Sequence, residues 1–364
     1  MKKLHPEERV MRALNFLPPD RVPVLEGFWS EFVTSWRKDK KFGEDADIYK
    51  YYQLDICRQG GLTMDQSPWP GKTAKLQETD KYTITRDGWN RTLKTLKHIT
   101  TFQEGLEYPI KKYTDLDKLV FEPADLDIRY EGLKENVERE RKNYCVFFKT
   151  GGPFSRTARF RGVQQFLMDM LLDTAFTKEL TMRMTDLLID PLLIGLKRGN
   201  APQTAVWIAD DIASTRSLFF SPKLYEEIFY PQLKRLCKAI KATGRKVIYE
   251  SEGNTSEILD MLIDAGVDVF ATLEPRAGMD ITKLKEKYGN KVAYIGNICN
   301  VIVLPNGTKR EIEKEVRRVL SIASDGGYIA GSAHSIGSDV PVENYDYMIE
   351  LLRKYGNYPL TLKP

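Results

Sequence analysis

No stretch of this 364-residue chain approaches the run of about 18 apolar residues that a membrane-crossing helix requires. The N-terminus also has no apolar segment of the kind that leads a chain to secretion, so a soluble, cytoplasmic protein is expected. Cysteine is scarce. Cys57, Cys145, Cys237 and Cys299 stand far apart with no CxxC, so neither a disulfide framework nor a thiolate zinc site is indicated. No glycine-rich GxGxxG follows any apolar run, so the usual dinucleotide cradle is missing. Excess charge is missing too: 55 basic against 51 acidic residues leave +4, too balanced for nucleic acid to be the main partner. Histidine is rarest, with only His5, His98 and His334.

What is present is a rhythm. Short apolar runs begin at Val22, Leu54, Cys145, Ala205, Val247, Val267, Val292 and Tyr328, and from Cys145 onward helical stretches of 10–15 residues separate them. Such alternation means βα units and a parallel sheet, and eight strands close a (β/α)₈ barrel, the TIM-barrel architecture. An open doubly wound sheet is the alternative, disfavoured by the missing glycine signature. The helix at 6–14, with Pro6 in its first turn, precedes the first strand as an extension. Residues 75–103 differ: they alternate and carry Asp87-Gly88, which predicts antiparallel hairpins inserted into a single domain spanning 1–364.

The stretch Val247-Ile248-Tyr249-Glu250-Ser251-Glu252-Gly253-Asn254 carries most of the chemistry. Side chains alternate along a strand, so Glu250 and Glu252 point the same way. Two same-side carboxylates at the end of a buried strand need a cation or donor between them. The plainer reading makes them solvent-facing and satisfied by Arg245, Lys246 or water. In such a barrel the active site lies at the strand ends, here Glu26, Asp210, Asp211, Glu250, Glu252, Glu274, Asn297 and His334. Either some of these acids bind a metal with neutral His334, or one carboxylate is a general acid or base tuned by its neighbours. His5 and His98 are expected at the surface.

Several runs resemble the uroporphyrinogen decarboxylase superfamily: Ala209-Asp210-Asp211, Ser221-Pro222-Lys223-Leu224-Tyr225, Glu252-Gly253-Asn254, Ala265-Gly266-Val267-Asp268, Glu274-Pro275, Ile295-Gly296-Asn297-Ile298 and Asp339-Val340-Pro341. Glu8-Arg9-Val10 and Asp20-Arg21-Val22-Pro23 look like that superfamily's entry helix and first strand. The resemblance implies a (β/α)₈ barrel. True decarboxylases carry an arginine-rich segment after the first strand. Here that place reads Gly27-Phe28-Trp29-Ser30-Glu31, which points to the branch of corrinoid-dependent methyltransferases.

Members of that branch acting on coenzyme M bind zinc through His-x-Cys, a later glutamate and a final cysteine. By position these fall on Glu250-Ser251-Glu252, on Glu274 and near His334. The resemblance therefore implies a zinc site of Glu252, Glu274 and His334, with the choice between Glu250 and Glu252 open. Oxygen and imidazole ligands leave zinc a stronger Lewis acid and suit an oxygen donor. The implied reaction moves methyl from an aryl methyl ether to the Co(I) of a cobalamin. No Asp-x-His-x-x-Gly stretch, the usual corrinoid-holding pattern, occurs, so a partner protein is expected to bring the corrinoid. Asp210, Asp211 and Glu250 are the expected catalytic acids. Phe28, Trp29, Phe154, Trp207 and Tyr249 would sandwich the ring, with Asn297 as a further substrate contact. Arg156, with Arg159 and Arg161 near it, is the candidate for a substrate carboxylate. A metal-free decarboxylase and a methylcorrinoid:pterin methyltransferase are the alternatives, and a homodimer is an open option.

Overall fold

Six parallel strands run in chain order around the molecule: Phe148–Gly151, Ala205–Ala209, Lys246–Glu250, Val269–Ala271, Ala293–Ile295 and Tyr328–Ile329. These come from a computed structural model that describes residues 3–56 and 61–361. Two shorter extended segments complete the ring. Asp55 N donates to Val24 O (2.9 Å) and Cys145 N to Asp55 O (2.7 Å), which joins the first segment to the second and the second to the third strand. On the other side Ala330 N donates to Pro23 O (2.8 Å) and Leu25 N to Ala330 O (2.9 Å). All eight predicted starts fall on this barrel. Cys57, at the end of the second, lies outside the described residues.

Every second strand residue faces inward. Leu25, Ile56, Phe147, Trp207, Ile248, Ala271, Ile295 and Ile329 belong to one interior cluster, so the barrel is a packed core and not a pore. The helix Pro6–Leu14 closes the end where the strands begin. It adds Val10 and Leu14 to that cluster, and Ala13 O accepts from Gly327 N (2.6 Å), just before the last strand. Buried Arg9 on this helix bonds Asp20 (2.6 Å) and Asp55 (2.7 Å), and Arg21 also meets Asp55 (2.6 Å). An ionic cluster thus fastens helix, first strand and second strand together. The barrel interior is thus filled from this end.

The alternating segment forms a four-stranded antiparallel sheet of Ala74–Glu78, Tyr82–Arg86, Thr92–Leu96 and Ile99–Glu107. Asp87-Gly88 turns the second of these into the third. The sheet rests on the helix Pro153–Arg161 through Trp89 and Phe160, whose rings are 6.3 Å apart. Two helices, Val163–Leu172 and Thr174–Arg198, lead to the next barrel strand; Asp173 breaks the first and caps the second by accepting from Phe176 N (3.0 Å). Among the described residues no helix is long and apolar enough to cross a membrane.

Candidate active site

At the strand ends the inward positions turn polar. Trp207, fully buried, is the floor, and its indole Nε1 donates to Glu250 Oε2 at 2.5 Å. Lys149 Nζ lies 3.3 Å from the same oxygen. The apolar run ending in Phe147-Phe148-Lys149 hid this lysine in the sequence. Its signal was the alternation, since Lys149 shares a face with Cys145 and Phe147.

Two residues beyond Glu250, Glu252 meets His334, with Oε1 and Nε2 2.7 Å apart. The His334 ring stacks on Trp29 (centroids 5.9 Å apart, planes 26° apart). The chain can leave the strand directly after Glu252 because Gly253 has φ +78°. A Cβ there would come within 2.3 Å of Ser214 O. Asp211 accepts from Glu252 N (3.4 Å). Burial first, then the charges of Glu252 and Glu250, hold the Asp211 carboxyl above the ordinary carboxylate range. The hydrogen bond between Glu252 and His334 works in opposite directions on its two ends: it lowers the glutamate and raises the imidazole, so the pair favours a charged His334. An open cleft of about 510 Å³ beside this pair is lined by Trp29, Glu31, His98, Asn300, His334 and Asp339. His98, at the tip of the antiparallel sheet, is exposed as expected yet reaches the same cleft.

Other expected site residues do not reach this opening. Asp210 points outward, into the layer between sheet and helices. Its carboxylate accepts from Ser155 N (2.7 Å) at the start of the helix Pro153–Arg161 and from the Tyr249 hydroxyl (3.3 Å). Gly152 makes room for it, since a Cβ there would lie 2.1 Å from Asp210 Cγ. Burial drives its pKa up to about 7. Asp210 and Tyr249 therefore anchor a helix. Phe28, partly buried, packs against Phe32 (5.6 Å) and Tyr345 (5.3 Å) at the edge of the core, and Phe154 against Phe220 (5.1 Å) and Phe229 (5.5 Å) within it. Trp207 offers its edge to Glu250 from below and no open face. Asn297, fully buried at φ +76°, bonds Leu273 O and Met279 O (both 2.7 Å) and accepts from Arg318 (3.0 Å). It is a loop clamp with its hydrogen bonds filled.

The expected metal ligands are brought together only in part. Glu252 and His334 meet, but Glu274 is held by Arg276 (3.0 Å). Among the described residues no three His, Cys, Asp or Glu side chains are close enough to hold a metal ion. Glu26, noted as a strand end, ties the first strand to the last, accepting from Ser332 N (3.1 Å) and Ser332 Oγ (2.5 Å). Its burial raises it to about 7.

Arg156 does reach the opening. Gly151 follows Lys149 on the inward face, and the Arg156 stem fills the space a Gly151 side chain would take. Arg161, by contrast, is committed to Asp169 (2.6 Å).

The family model described as uroporphyrinogen decarboxylase (URO-D) matches residues 105–355, well over half of the chain. A uroporphyrinogen decarboxylase of Myxococcus xanthus is 27% identical over 263 residues, covering 68% of this chain and 70% of that protein. The methylcobamide:CoM methyltransferase MtbA of Methanosarcina acetivorans is 22% identical over 360 residues, covering 98% of this chain and 99% of that protein. Among solved structures, a methyltransferase from Methanosarcina mazei superposes with a TM-score of 0.69 at 18% identity, over 97% of this chain and 99% of that one. At that identity the likeness is one of fold.

Proposed function

The chain belongs to the uroporphyrinogen decarboxylase family, and on that premise we propose that it is a corrinoid-dependent methyltransferase. In this reading it moves a methyl group from a methoxylated aromatic compound to the Co(I) of a separate corrinoid protein. The similarity to a methylcobamide:CoM methyltransferase runs end to end, which supports the reaction class. The observation that carries the rest is the Glu252–His334 ion pair lying against the partly exposed Trp29 ring at the barrel opening. A flat ring can lie on the indole while its ether oxygen faces the imidazolium.

As the methyl carbon bonds to cobalt, which supplies the electron pair, the carbon–oxygen bond breaks and the oxygen keeps its pair. Phenolate is a poor leaving group in a site shielded from water unless a proton or positive charge reaches it. His334, held charged by Glu252, supplies that proton. Lys149, fixed by Glu250, adds positive charge below. Zinc, which the resemblance implies at Glu252, Glu274 and His334, does not fit these donors as they stand, because Arg276 holds the third. No step here runs through a metal.

The test mixes the purified chain with Co(I) cobalamin and a panel of aryl methyl ethers. Methylcob(III)alamin, read by absorbance, and the free phenol are expected in equal amounts, with the rate falling about 10²-fold or more in His334→Ala. The Myxococcus relative favours a second reading, decarboxylation. Carbon dioxide release from uroporphyrinogen with no ether cleavage would establish that reading and end the first. Methyl transfer from methylcobalamin to a tetrahydropterin, again with no ether cleavage, would reverse the direction of the proposed reaction. One zinc per chain, lost in Glu252→Ala and in His334→Ala, would restore the metal.

A further inference from the structure

Arg156 occupies an unusual position for an arginine. Cys145, Phe147, Lys149 and Gly151 share the inward face of the third strand and its lead-in, and the first two lie in the barrel core. A Cβ on Gly151 would lie 2.0 Å from Arg156 Nε and 2.4 Å from its Cγ. The arginine therefore folds back from its helix across the inner face, one step above Lys149, at the open end of the barrel. Its guanidinium lies over the Trp89 ring, 5.2 Å from the centroid, so the antiparallel sheet covers it from one side.

Among the described residues no ion pair neutralises it. The Nε is buried without a hydrogen-bond partner, and among the described residues no carboxylate forms an ion pair with it. Its charged neighbours are mainly of its own sign: burial first, then Arg159 and Arg91, bring its pKa down to about 10. Asp210 lies on the far side of the strand and is bound to Ser155 N. A desolvated, unpaired cation is unfavourable unless something supplies the missing charge and acceptors.

We propose that Arg156, roofed by Trp89, is an anion anchor that receives a carboxylate carried by the substrate at the barrel opening. A planar guanidinium grips a carboxylate through two parallel hydrogen bonds, and an indole behind it keeps the fork in place. The substrate class is then an aromatic acid. This rests on the methyltransferase reading only for the identity of the rest of the molecule.

The probes are benzoate and benzamide, neither of which has a methyl group to transfer. Binding is followed by calorimetry and by tryptophan fluorescence, which Trp89 makes sensitive to occupancy. Benzoate should bind about tenfold or more tighter than benzamide. Arg156→Gln should abolish that difference, and Arg159→Gln should leave it. If Arg156→Gln does not fold, Arg156→Lys carries the test: the charge remains and the fork is lost, so benzoate affinity should fall while benzoate still outranks benzamide. Equal affinity of the wild type for both probes, or a preference undiminished in the Arg156 variant, would overturn the proposal. Ether cleavage is measured separately, so a protein that prefers benzoate yet cleaves no ether would refute the methyltransferase reading alone.

Discussion

Replacing Asp210 with asparagine tests whether this acid at a strand end serves the fold or the opening. The side chain is completely buried, accepts from Ser155 N, and has a pKa pushed from the ordinary 3.8 to about 7. The native state thus keeps its proton up to about neutrality, whereas the unfolded chain loses it near 3.8. Between those values the native state binds more protons, so this group's contribution to stability falls as pH rises and levels off above about 7. At ~1.4 kcal/mol per pH unit, the change from about pH 5 to about pH 9 is ~3 kcal/mol, a ceiling that local relaxation reduces. Asparagine keeps an acceptor for Ser155 N and never ionises. The difference between Asp210→Asn and wild type should therefore shift in the variant's favour by ~1–3 kcal/mol from pH 5 to pH 9. Glu26 titrates in both proteins and cancels in the difference. Urea unfolding at the two pH values reads this directly. A difference that stays constant with pH would mean that the helix start holds Asp210 charged throughout, and the argument from burial would fail.

Asp55→Asn should cost about 3–5 kcal/mol in chemical denaturation, because it leaves Arg9 and Arg21 without the buried carboxylate they share. A loss below about 1 kcal/mol would show that the ionic cluster does not fasten the closed end. Glu252→Gln should move the His334 titration down toward the ordinary histidine value, since the raised imidazole depends first on that glutamate. Carbon-detected imidazole NMR can follow it with only three histidines to assign. The charged pair is intact above the lowered Glu252 value and below the raised His334 value, and is lost outside that window. Because Glu252 is about half exposed, its removal should change stability by no more than about 1 kcal/mol. An unmoved titration would separate the two residues in solution.

Much of the frame could be read directly from residues. Ser221-Pro222, a pairing of N-cap and first-turn residues, does cap and open a helix, with Ser221 accepting from Leu224 N (3.3 Å), and Gly266 ends the helix Leu259–Ala265 at φ +109°. Strand order put Glu252 and His334 among the residues at the open end, and the resemblance singled the two out as metal ligands; that they meet as an ion pair is visible only in the fold. Asp210 and Asp211 were harder, because the run Ala205–Ala209 is apolar on both faces and gives no hint which acid turns inward. Glu274 was misjudged for another reason. The strand Val269–Ala271 ends early, Thr272 takes φ +50°, and alternation no longer governs where the next residues point. Trp89 on Arg156 is a contact between segments far apart in the chain, and local periodicity carries no trace of it.

The antiparallel sheet touches the barrel rim at two separated places, Trp89 beside the third strand and His98 in the cleft with Trp29 and His334. A crossbeam resting on both sides of a well narrows its opening to a slot. Thin, flat molecules can slide beneath such a beam, whereas bulky or puckered ones are turned away before any chemistry distinguishes them. Any limit the slot sets on thickness then comes from a part of the chain that contributes no strand to the barrel.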